Sequence, residues 1–326
     1  MTADHRRPDV LVVGMHRSGT SAVAGALVAM GLAGPRADDV VAPAPANRVG
    51  YFESASMVAL DELVLASFGG CWSAPPELPT GWADSAAAAA VRQAARRFVA
   101  EREGGGAMVL KDPRLCFTVP LWRGALPREP LAVVVVRRPG PVAQSLARRN
   151  GMPVALGLAL WDRSLRQAVA DIEGMATYVI DYDELVADPH ATLGPMADFL
   201  HHGGLTVASP AGAASIHSEL RHHHHDPEVD RRADELVDVY DVLRARTGAH
   251  RSWTPPELPA PPWWVSDVLT LSRSGQAVAG ALHDHRRQLR WIKQSRLFRA
   301  TGALWRATGR GPAGHHGAEA RPSWRP

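Results

Sequence analysis

Residues 10–30 read VLVVGMHRSGTSAVAGALVAM and contain a strand, a turn and a helix in succession. The run Val10 to Val13 is short and apolar, which is typical of a buried parallel strand. The segment from Ser18 to Met30 predicts a helix, and Gly31 is a suitable stop. Backbone N–H groups in such a turn, together with the helix N-terminus, point at an anion. Residues 14–21 (GMHRSGTS) are therefore predicted to bind a phosphate group.

The same alternation of strand and helix continues along the chain. Three further apolar runs predict strands, at Ala107 to Leu110, Leu131 to Val136 and Thr177 to Ile180. Helices are predicted at 55–68, 85–103, 141–150, 153–173, 189–200 and 227–247, with Trp122 and Trp161 in the core. This alternation indicates right-handed βαβ units. The predicted fold is α/β: a P-loop-like, doubly wound, mainly parallel sheet with helices on both faces and a helical C-terminal extension, and with ligands at the carboxyl ends of the strands.

Residues 14–21 lack the signatures of two common nucleotide-binding motifs. Gly14 and Gly19 are five positions apart, as in a nucleoside triphosphate loop, but Thr20 stands where that motif has lysine. The middle glycine of a dinucleotide-binding fingerprint is also missing. What remains is a cation, Arg17, inside the turn. A cationic side chain in this place makes a metal ion unnecessary for neutralising an anion.

The succession Arg17, Ser18, Gly19, Thr20 and Ser21 resembles the 5′-phosphosulfate loop of the sulfotransferases that use 3′-phosphoadenosine 5′-phosphosulfate (PAPS). Arginine rather than lysine at the first position is similar to the tyrosylprotein and bacterial branches of that family. The resemblance implies that these five residues hold the donor's 5′-phosphosulfate. It also implies that Arg17 stabilises charge on the leaving phosphate and on the sulfonate, with no metal ion.

A second motif lies further along the chain. Arg137 directly follows the run Leu131 to Val136, and Ser145 comes eight positions later in a predicted helix. Such an arginine and serine bind the donor's 3′-phosphate in the sulfotransferase family, so the resemblance implies this role here. A forked cation and a hydroxyl together suit a dianion that ATP does not have. The similarity covers residues 9–200, and the family's C-terminal donor-binding segment is not recognisable.

Glu53 is the candidate base for the acceptor hydroxyl. It ends residues 47–53 (NRVGYFE), which resemble the acceptor-side loop of bacterial sulfotransferases. Burial can raise the pKa of a carboxylate into the working range of a base, although a nearby arginine lowers it. Glu53 also precedes a predicted helix, where an acid stabilises the N-terminus without any catalytic role. His16 is the alternative base, with the objection that a neighbour of Arg17 can point away from the acceptor.

Residues 111–114 (KDPR) follow the second predicted strand, at the edge where a doubly wound sheet builds its site. This segment also resembles the bacterial sulfotransferases. Lys111 is a candidate catalytic residue that contacts the sulfonate or the acceptor, Arg114 could bind an anionic group, and Asp112 could orient both. A structural cluster of salt bridges explains the same residues, and both interpretations stay open.

These motifs predict a PAPS-dependent sulfotransferase that moves a sulfuryl group to an acceptor hydroxyl by in-line transfer. The acceptor class stays open between a glycan, a glycolipid and a small-molecule natural product. One alternative is a kinase-like enzyme that uses ATP and Mg²⁺, which Thr20 disfavours. Another is a module of the same fold that binds a nucleotide or a glycan without catalysis.

Composition places the chain among globular proteins. It has 326 residues, 46% apolar content, a net charge of +3 and two cysteines. So small a charge gives no indication of nucleic-acid binding, and two cysteines without ligand spacing indicate neither a disulfide scaffold nor a metal site. Polar residues 16–21 interrupt the apolar N-terminal stretch, so no export signal or membrane span is predicted there. We expect a cytoplasmic protein that can lie at the inner membrane surface.

Domain boundaries are predicted from changes in composition. Residues 1–250 are predicted as the sulfotransferase domain, 251–262 as a proline-rich linker, 263–310 as a basic amphipathic helical extension and 311–326 as a disordered tail. The extension has nine Lys or Arg against two Asp, which suits contact with an anionic membrane surface or with a partner. The run His222 to His225 lacks partners at metal-ligand spacing and is interpreted as a solvated or acceptor-lining segment.

Overall fold

The four runs predicted as strands lie side by side in one sheet. The computed structural model describes residues 7–42, 50–102, 106–208 and 227–277. Its parallel strands are β1 (Val10–Val13), β2 (Val109–Lys111), β3 (Leu131–Val136) and β4 (Thr177–Asp181). A short strand that was not predicted, β5 (Gly248–His250), pairs antiparallel with β4, and the order is β2-β1-β3-β4-β5. The carboxyl ends of the four parallel strands therefore share one edge.

The sheet is surrounded by α-helices, of which ten precede residue 250 in the described part of the chain. They are α1 (Thr20–Ala29), α2 (Ala55–Ser67), α3 (Ala89–Ala100), α4 (Leu115–Ala125), α5 (Pro139–Asn150), α6 (Val154–Asp171), α7 (Tyr182–Ala187), α8 (Pro189–His202), α9 (Pro227–Asp234) and α10 (Val237–Arg244). Helices α4 and α7 were not predicted from the sequence. The prediction of one charged helix over 227–247 is wrong, because a turn at Glu235 and Leu236 separates α9 from α10. Leu236 in this turn is fully buried.

Both faces of the sheet are buried, which explains why the strands are apolar without interruption. On one face, Val133 and Val135 of β3 belong to a cluster with apolar residues of α1 and α8. On the other face, Ala132, Val134 and Val136 belong to a cluster with residues of α4, α5 and α6. Because side chains alternate between the two faces of a strand, they pack into two separate cores. The predicted fold, a mainly parallel sheet with helices on both faces, is confirmed.

The segment after β5 packs against the body of the fold. Residues 251–262 contain neither helix nor strand, yet Trp253 is buried and its indole Nε1 donates to the Val169 carbonyl at 2.8 Å. Residues 263–277 are helical, and Trp264 joins the core that contains α4 and α6. The chain up to Arg273 forms one compact unit, and residues from 274 onward group separately. The predicted bounds of the linker and of the extension stay predictions.

Several predictions fall on other parts of the chain. The run His222 to His225, the extension beyond residue 277 and the tail 311–326 lie outside the described residues. Within the described ranges, no helix has the length and apolar content needed to cross a bilayer.

Candidate active site

The candidate active site lies at the carboxyl edge of the sheet. Residues 14–21, called the glycine loop below, leave β1; Lys111 ends β2, Arg137 follows β3 and Tyr182 follows β4. Parallel strands bring these four segments to one place. Hydrogen bonds join the glycine loop to both Lys111 and Arg137. The structure therefore brings together the loop and the two later strand ends that the sequence singled out.

The backbone of the glycine loop is tightly turned. Arg17 has a φ of 68°, in the left-handed region that few non-glycine residues occupy. Gly19 has a φ of 96° and stands at the N-terminus of α1. A Cβ atom at residue 19 would lie 2.0 Å from Cδ2 of Tyr182, so the backbone and the tyrosine ring both require glycine here. Helix α1 begins at Thr20, later than predicted, and the first N–H groups of a helix are free of intrahelical bonds.

The two motifs of the sequence meet at Arg17. Its side-chain Nε donates to the Ser145 hydroxyl at 2.8 Å, across 128 positions of sequence. Nη1 of Arg137 donates to the Arg17 carbonyl oxygen at 2.9 Å, across 120 positions. Burial, Arg149 and Arg137 all lower the pKa of Arg17, which nevertheless stays protonated because guanidinium does not lose its proton in proteins. The half-buried Arg17 and the buried Arg137 thus bring two cations together, and an anion would relieve their mutual repulsion.

Arg137 is held in place by groups that leave its buried Nε without a partner among the described residues. The indole Nε1 of Trp161 donates to the Arg137 carbonyl oxygen at 2.9 Å, and the Tyr182 ring centroid lies 4.4 Å from the guanidinium carbon. Nε of Arg137 is buried and has no hydrogen-bond partner among the described residues. Trp161 is fully buried, which confirms its prediction as a core residue, and its indole also positions Arg137. The fixed guanidinium can therefore bind an anion through a donor that the protein does not satisfy.

His16 of the glycine loop is half-buried. Burial lowers its pKa well below the usual value, and the charges of Arg114 and Arg149 act in the same direction. The ring packs on Trp72 with centroids 4.5 Å apart, and His16 Nε2 is buried without a partner among the described residues. So low a pKa makes the imidazole a weak proton acceptor, which counts against His16 as the base.

Glu53 is positioned by the residues on either side of it. Phe52 has a φ of 54°, and its ring packs so closely on α1 that a Cβ atom at Gly25 would lie 2.9 Å from Phe52 Cε2. The Glu53 carbonyl oxygen accepts from the Val41 N–H at 2.8 Å. Helix α2 is capped by Ser54, whose hydroxyl accepts from a first-turn N–H. Because Ser54 caps the helix, the Glu53 side chain is not needed at the helix N-terminus and can bond to other partners.

Lys111 links Glu53 to the glycine loop. Its Nζ donates to Oε1 of Glu53 at 2.5 Å and to the Ser21 hydroxyl at 3.1 Å. Both side chains of the ion pair are largely buried, with 2% of Lys111 and 11% of Glu53 exposed. Burial lowers the pKa of Lys111, while the Glu53 charge opposes that shift. A carboxylate and an ammonium group therefore stand together beside the first turn of α1.

Arg114 is engaged in a salt-bridge cluster. Its Nη1 donates to Oδ1 of Asp112 at 2.8 Å, and its Nε donates to Oε1 of Glu62 at 2.6 Å. Oδ1 of Asp112 also accepts from the Arg114 N–H at 3.0 Å. Of the two interpretations of residues 111–114, these contacts favour the structural one for Arg114 and Asp112, whereas Lys111 belongs to the site.

Behind this cluster, Asp61 and Asp112 form a buried carboxyl pair. Both are fully buried, and Oδ1 of Asp61 accepts from the Trp122 indole at 2.8 Å. Oδ2 of each has no partner among the described residues other than the facing carboxyl. Burial and the Asp112 charge raise the pKa of Asp61 well above its usual value, against hydrogen bonds from Trp122 and Thr118. Two acceptors cannot bond to each other, and the raised pKa of Asp61 favours a proton between the two carboxyl groups.

We expect Asp61→Asn to gain stability relative to the parent as the pH rises from 5 to 8. A carboxyl whose folded-state pKa is raised contributes stability below its unfolded pKa and loses it as the pH rises towards the folded pKa. Asparagine supplies an N–H donor to Asp112 at every pH and does not titrate. The difference in free energy of unfolding should therefore grow by up to about 1.4 kcal/mol per pH unit, as measured by urea unfolding at pH 5, 6, 7 and 8.

Asp241→Asn is the control for this measurement. Asp241 is an exposed carboxylate on α10, so its replacement should change stability only slightly. A difference between Asp61→Asn and the parent that stays flat from pH 5 to 8 would show that Asp61 carries no proton in the folded protein.

Some residues of the site were not found from the sequence. Tyr182 stacks on Arg137 and closes over Gly19, and Arg149 contributes charge near Arg17. Asp61 packs beneath residues 111–114. A usable signal existed for Arg149, because it follows Ser145 by four positions and so lies on the same face of a helix. No signal existed for Asp61, which is an acid in the middle of an otherwise ordinary helix.

No protein-family model and no curated protein matches the chain. Among solved structures, it is similar to the sulfotransferase domain from the Synechococcus PCC 7002 olefin synthase, with 17% identity, a TM-score of 0.39, and coverage of 83% of this chain and 97% of that domain. It is also similar to the sulfotransferase domain from the curacin biosynthetic pathway, with 14% identity, a TM-score of 0.39, and coverage of 81% and 97%. Both resemblances are distant.

Proposed function

We propose that the chain is a sulfotransferase that uses PAPS as donor and an alcohol group of a glycan, glycolipid or natural product as acceptor. One observation carries the proposal: Arg17 of the glycine loop is bonded to Ser145, and Arg137 is bonded to the Arg17 carbonyl. The residues that the family resemblance assigns to the two phosphate ends of PAPS are therefore in direct contact at one edge of the sheet.

The side chains present suit a donor with two anionic ends. Arg17 and the N-terminus of α1 would hold the 5′-phosphosulfate, together with Ser18, Thr20 and Ser21. Arg137 and Ser145 would hold the 3′-phosphate. Nε of Arg137 and the Ser18 hydroxyl are among the buried polar atoms that lack a partner in the described residues, and an anion's oxygens would satisfy both. Cations take the role that a metal ion has in ATP-dependent enzymes, so none is required.

When bound, PAPS would supply the sulfuryl group and a phosphate leaving group. Glu53 would accept the proton of the acceptor hydroxyl as the oxygen forms its bond to sulfur. Lys111 holds the carboxylate in place before transfer and donates to Ser21 of the loop, so it can also stabilise oxygen atoms that gain charge. Arg17, whose charge is permanent, would stabilise the leaving phosphate.

Calorimetry with the product nucleotide tests the donor. We expect 3′-phosphoadenosine 5′-phosphate (PAP) to bind without a metal ion, and to bind more tightly than ATP with Mg²⁺. The absence of a lysine at Thr20 leaves the loop without the side chain that ATP-binding loops use. Preference for ATP with Mg²⁺ would overturn the proposal. PAP release from PAPS, measured over a panel of sugar, lipid and phenol alcohols, then separates an enzyme from a binding module.

A further inference from the structure

Arg149 is the cation that the donor site leaves unused. It lies four positions after Ser145 on α5, one turn further along the same face of the helix. Because Ser145 contacts Arg17, that face is turned toward the glycine loop. Arg149 also interacts electrostatically with Tyr51 and Glu53. It therefore lies between the loop and the candidate base.

The described residues give Arg149 no direct ion-pair partner. Its Nε donates to the side-chain oxygen of Asn150 at 2.7 Å, which is a neutral partner. Among the described residues, no carboxylate forms an ion pair with Arg149, whereas Arg114 has two. Arg149 is half-buried, and burial lowers its pKa. A half-buried cation among other cations is costly unless an anion joins it.

The adjacent residues Arg148 and Arg149 have different electrostatic neighbours in the site. Arg148 interacts with Arg137, which we assign to the donor's 3′-phosphate. Arg149 interacts with Glu53, which we assign to the acceptor hydroxyl, and also with Arg17 of the glycine loop. Arg149 therefore lies where the sulfonate end of the donor would meet the acceptor. His16, a neutral imidazole whose buried Nε2 lacks a partner in the described part of the chain, is close to the same arginine.

We propose that the acceptor carries an anionic group, a carboxylate or a phosphate or sulfate ester, beside the hydroxyl that receives the sulfuryl group, and that Arg149 binds it. The inference rests on the proposed function. A guanidinium binds such a group through two parallel hydrogen bonds, and its charge offsets the repulsion that Glu53 would exert on an anionic acceptor. The substrate class is thus an acidic alcohol, such as a uronic acid or a phosphorylated sugar.

The smallest probe of this site is acetate, with acetamide as its uncharged match. We would saturate the ¹⁵N-labelled protein with PAP and follow the arginine Nε–H signals by NMR, identifying that of Arg149 through Arg149→Gln. Acetate should shift the Arg149 signal in a saturable manner, and acetamide or sodium chloride should not. Acetate binding to Arg149→Gln, followed through the Arg17 Nε–H signal because this variant lacks the Arg149 signal, should be weaker by roughly tenfold or more. Arg97→Gln, which removes an exposed charge on α3, should not weaken it.

Two results would overturn the inference without touching the donor assignment. The Arg149 signal could respond to acetate no more than the Arg97 signal does, or PAP alone could saturate it, which would make Arg149 part of the donor site. Failure of the proposed function gives a different result, because PAP would then not bind in the calorimeter before any acetate is added.

Discussion

Replacing Arg137 by alanine is expected to weaken PAP binding by a factor of at least about 100. The guanidinium is fixed by Trp161 and Tyr182 and has a buried donor without a partner in the described residues. Two charge-assisted hydrogen bonds to a phosphate are each worth roughly 1.5–3 kcal/mol, and about 1.4 kcal/mol corresponds to a factor of ten. Calorimetric titration with PAP, at one salt concentration, measures the loss.

The ligand can be varied in the same experiment as the protein. AMP lacks the 3′-phosphate, so the parent should prefer PAP to AMP strongly, and Arg137→Ala should bind the two nucleotides almost equally. Arg137→Lys keeps the charge but not the fork, and we expect intermediate affinity. Arg138→Ala is the matched control, since Arg138 is adjacent, exposed and 3.7 Å from Asp183. An undiminished preference for PAP in a folded Arg137→Ala protein would place the 3′-phosphate elsewhere.

The strands could be predicted because a strand that is buried on both faces appears in the sequence as an uninterrupted apolar run. Val10–Val13 and Leu131–Val136 are apolar throughout, and the structure gives them the same bounds as the sequence does. The sequence of helix α4 argues against a helix, because Pro120 in its interior lacks an N–H and a proline normally ends a helix. Strand β5 has only three residues, Gly248–His250, and is not apolar. It exists because it pairs with the edge of β4, which no local pattern encodes.

The site was predictable as far as it depends on strand ends. Arg17, Lys111 and Arg137 could be named because each stands in a motif that resembles the sulfotransferases and lies near a strand end, and parallel strands end at one edge. The contacts between residues distant in sequence could not be predicted. The Arg17 side chain turns to Ser145, and Asp61 meets Asp112 across the packing of α2 against the segment that follows β2. Such contacts depend on helix placement, which composition and periodicity do not determine.

Glu53→Gln is expected to abolish most turnover while leaving PAP affinity nearly unchanged. A positioned base contributes roughly 10²–10⁴ to the rate, and glutamine has the shape of glutamate without its basicity. With an acceptor identified by PAP release, the loss should appear in kcat. The His16→Asn variant addresses the rival base: a larger loss of kcat there than in Glu53→Gln would make the imidazole the proton acceptor.

A stability measurement separates this chemistry from the structural role of the same ion pair. Removing one partner of a buried ion pair typically costs about 3–5 kcal/mol, because the other charge stays buried alone. Lys111→Met and Glu53→Gln should each lower the free energy of unfolding by part of this amount, and the double variant should recover much of it. Glu62→Gln removes a more exposed carboxylate from Arg114. It measures how much free energy of unfolding is lost with a less buried ion pair. If Lys111→Met and Glu53→Gln are simply additive, the two side chains do not form a pair in the folded protein, and Glu53 would then need another group to hold it against the acceptor.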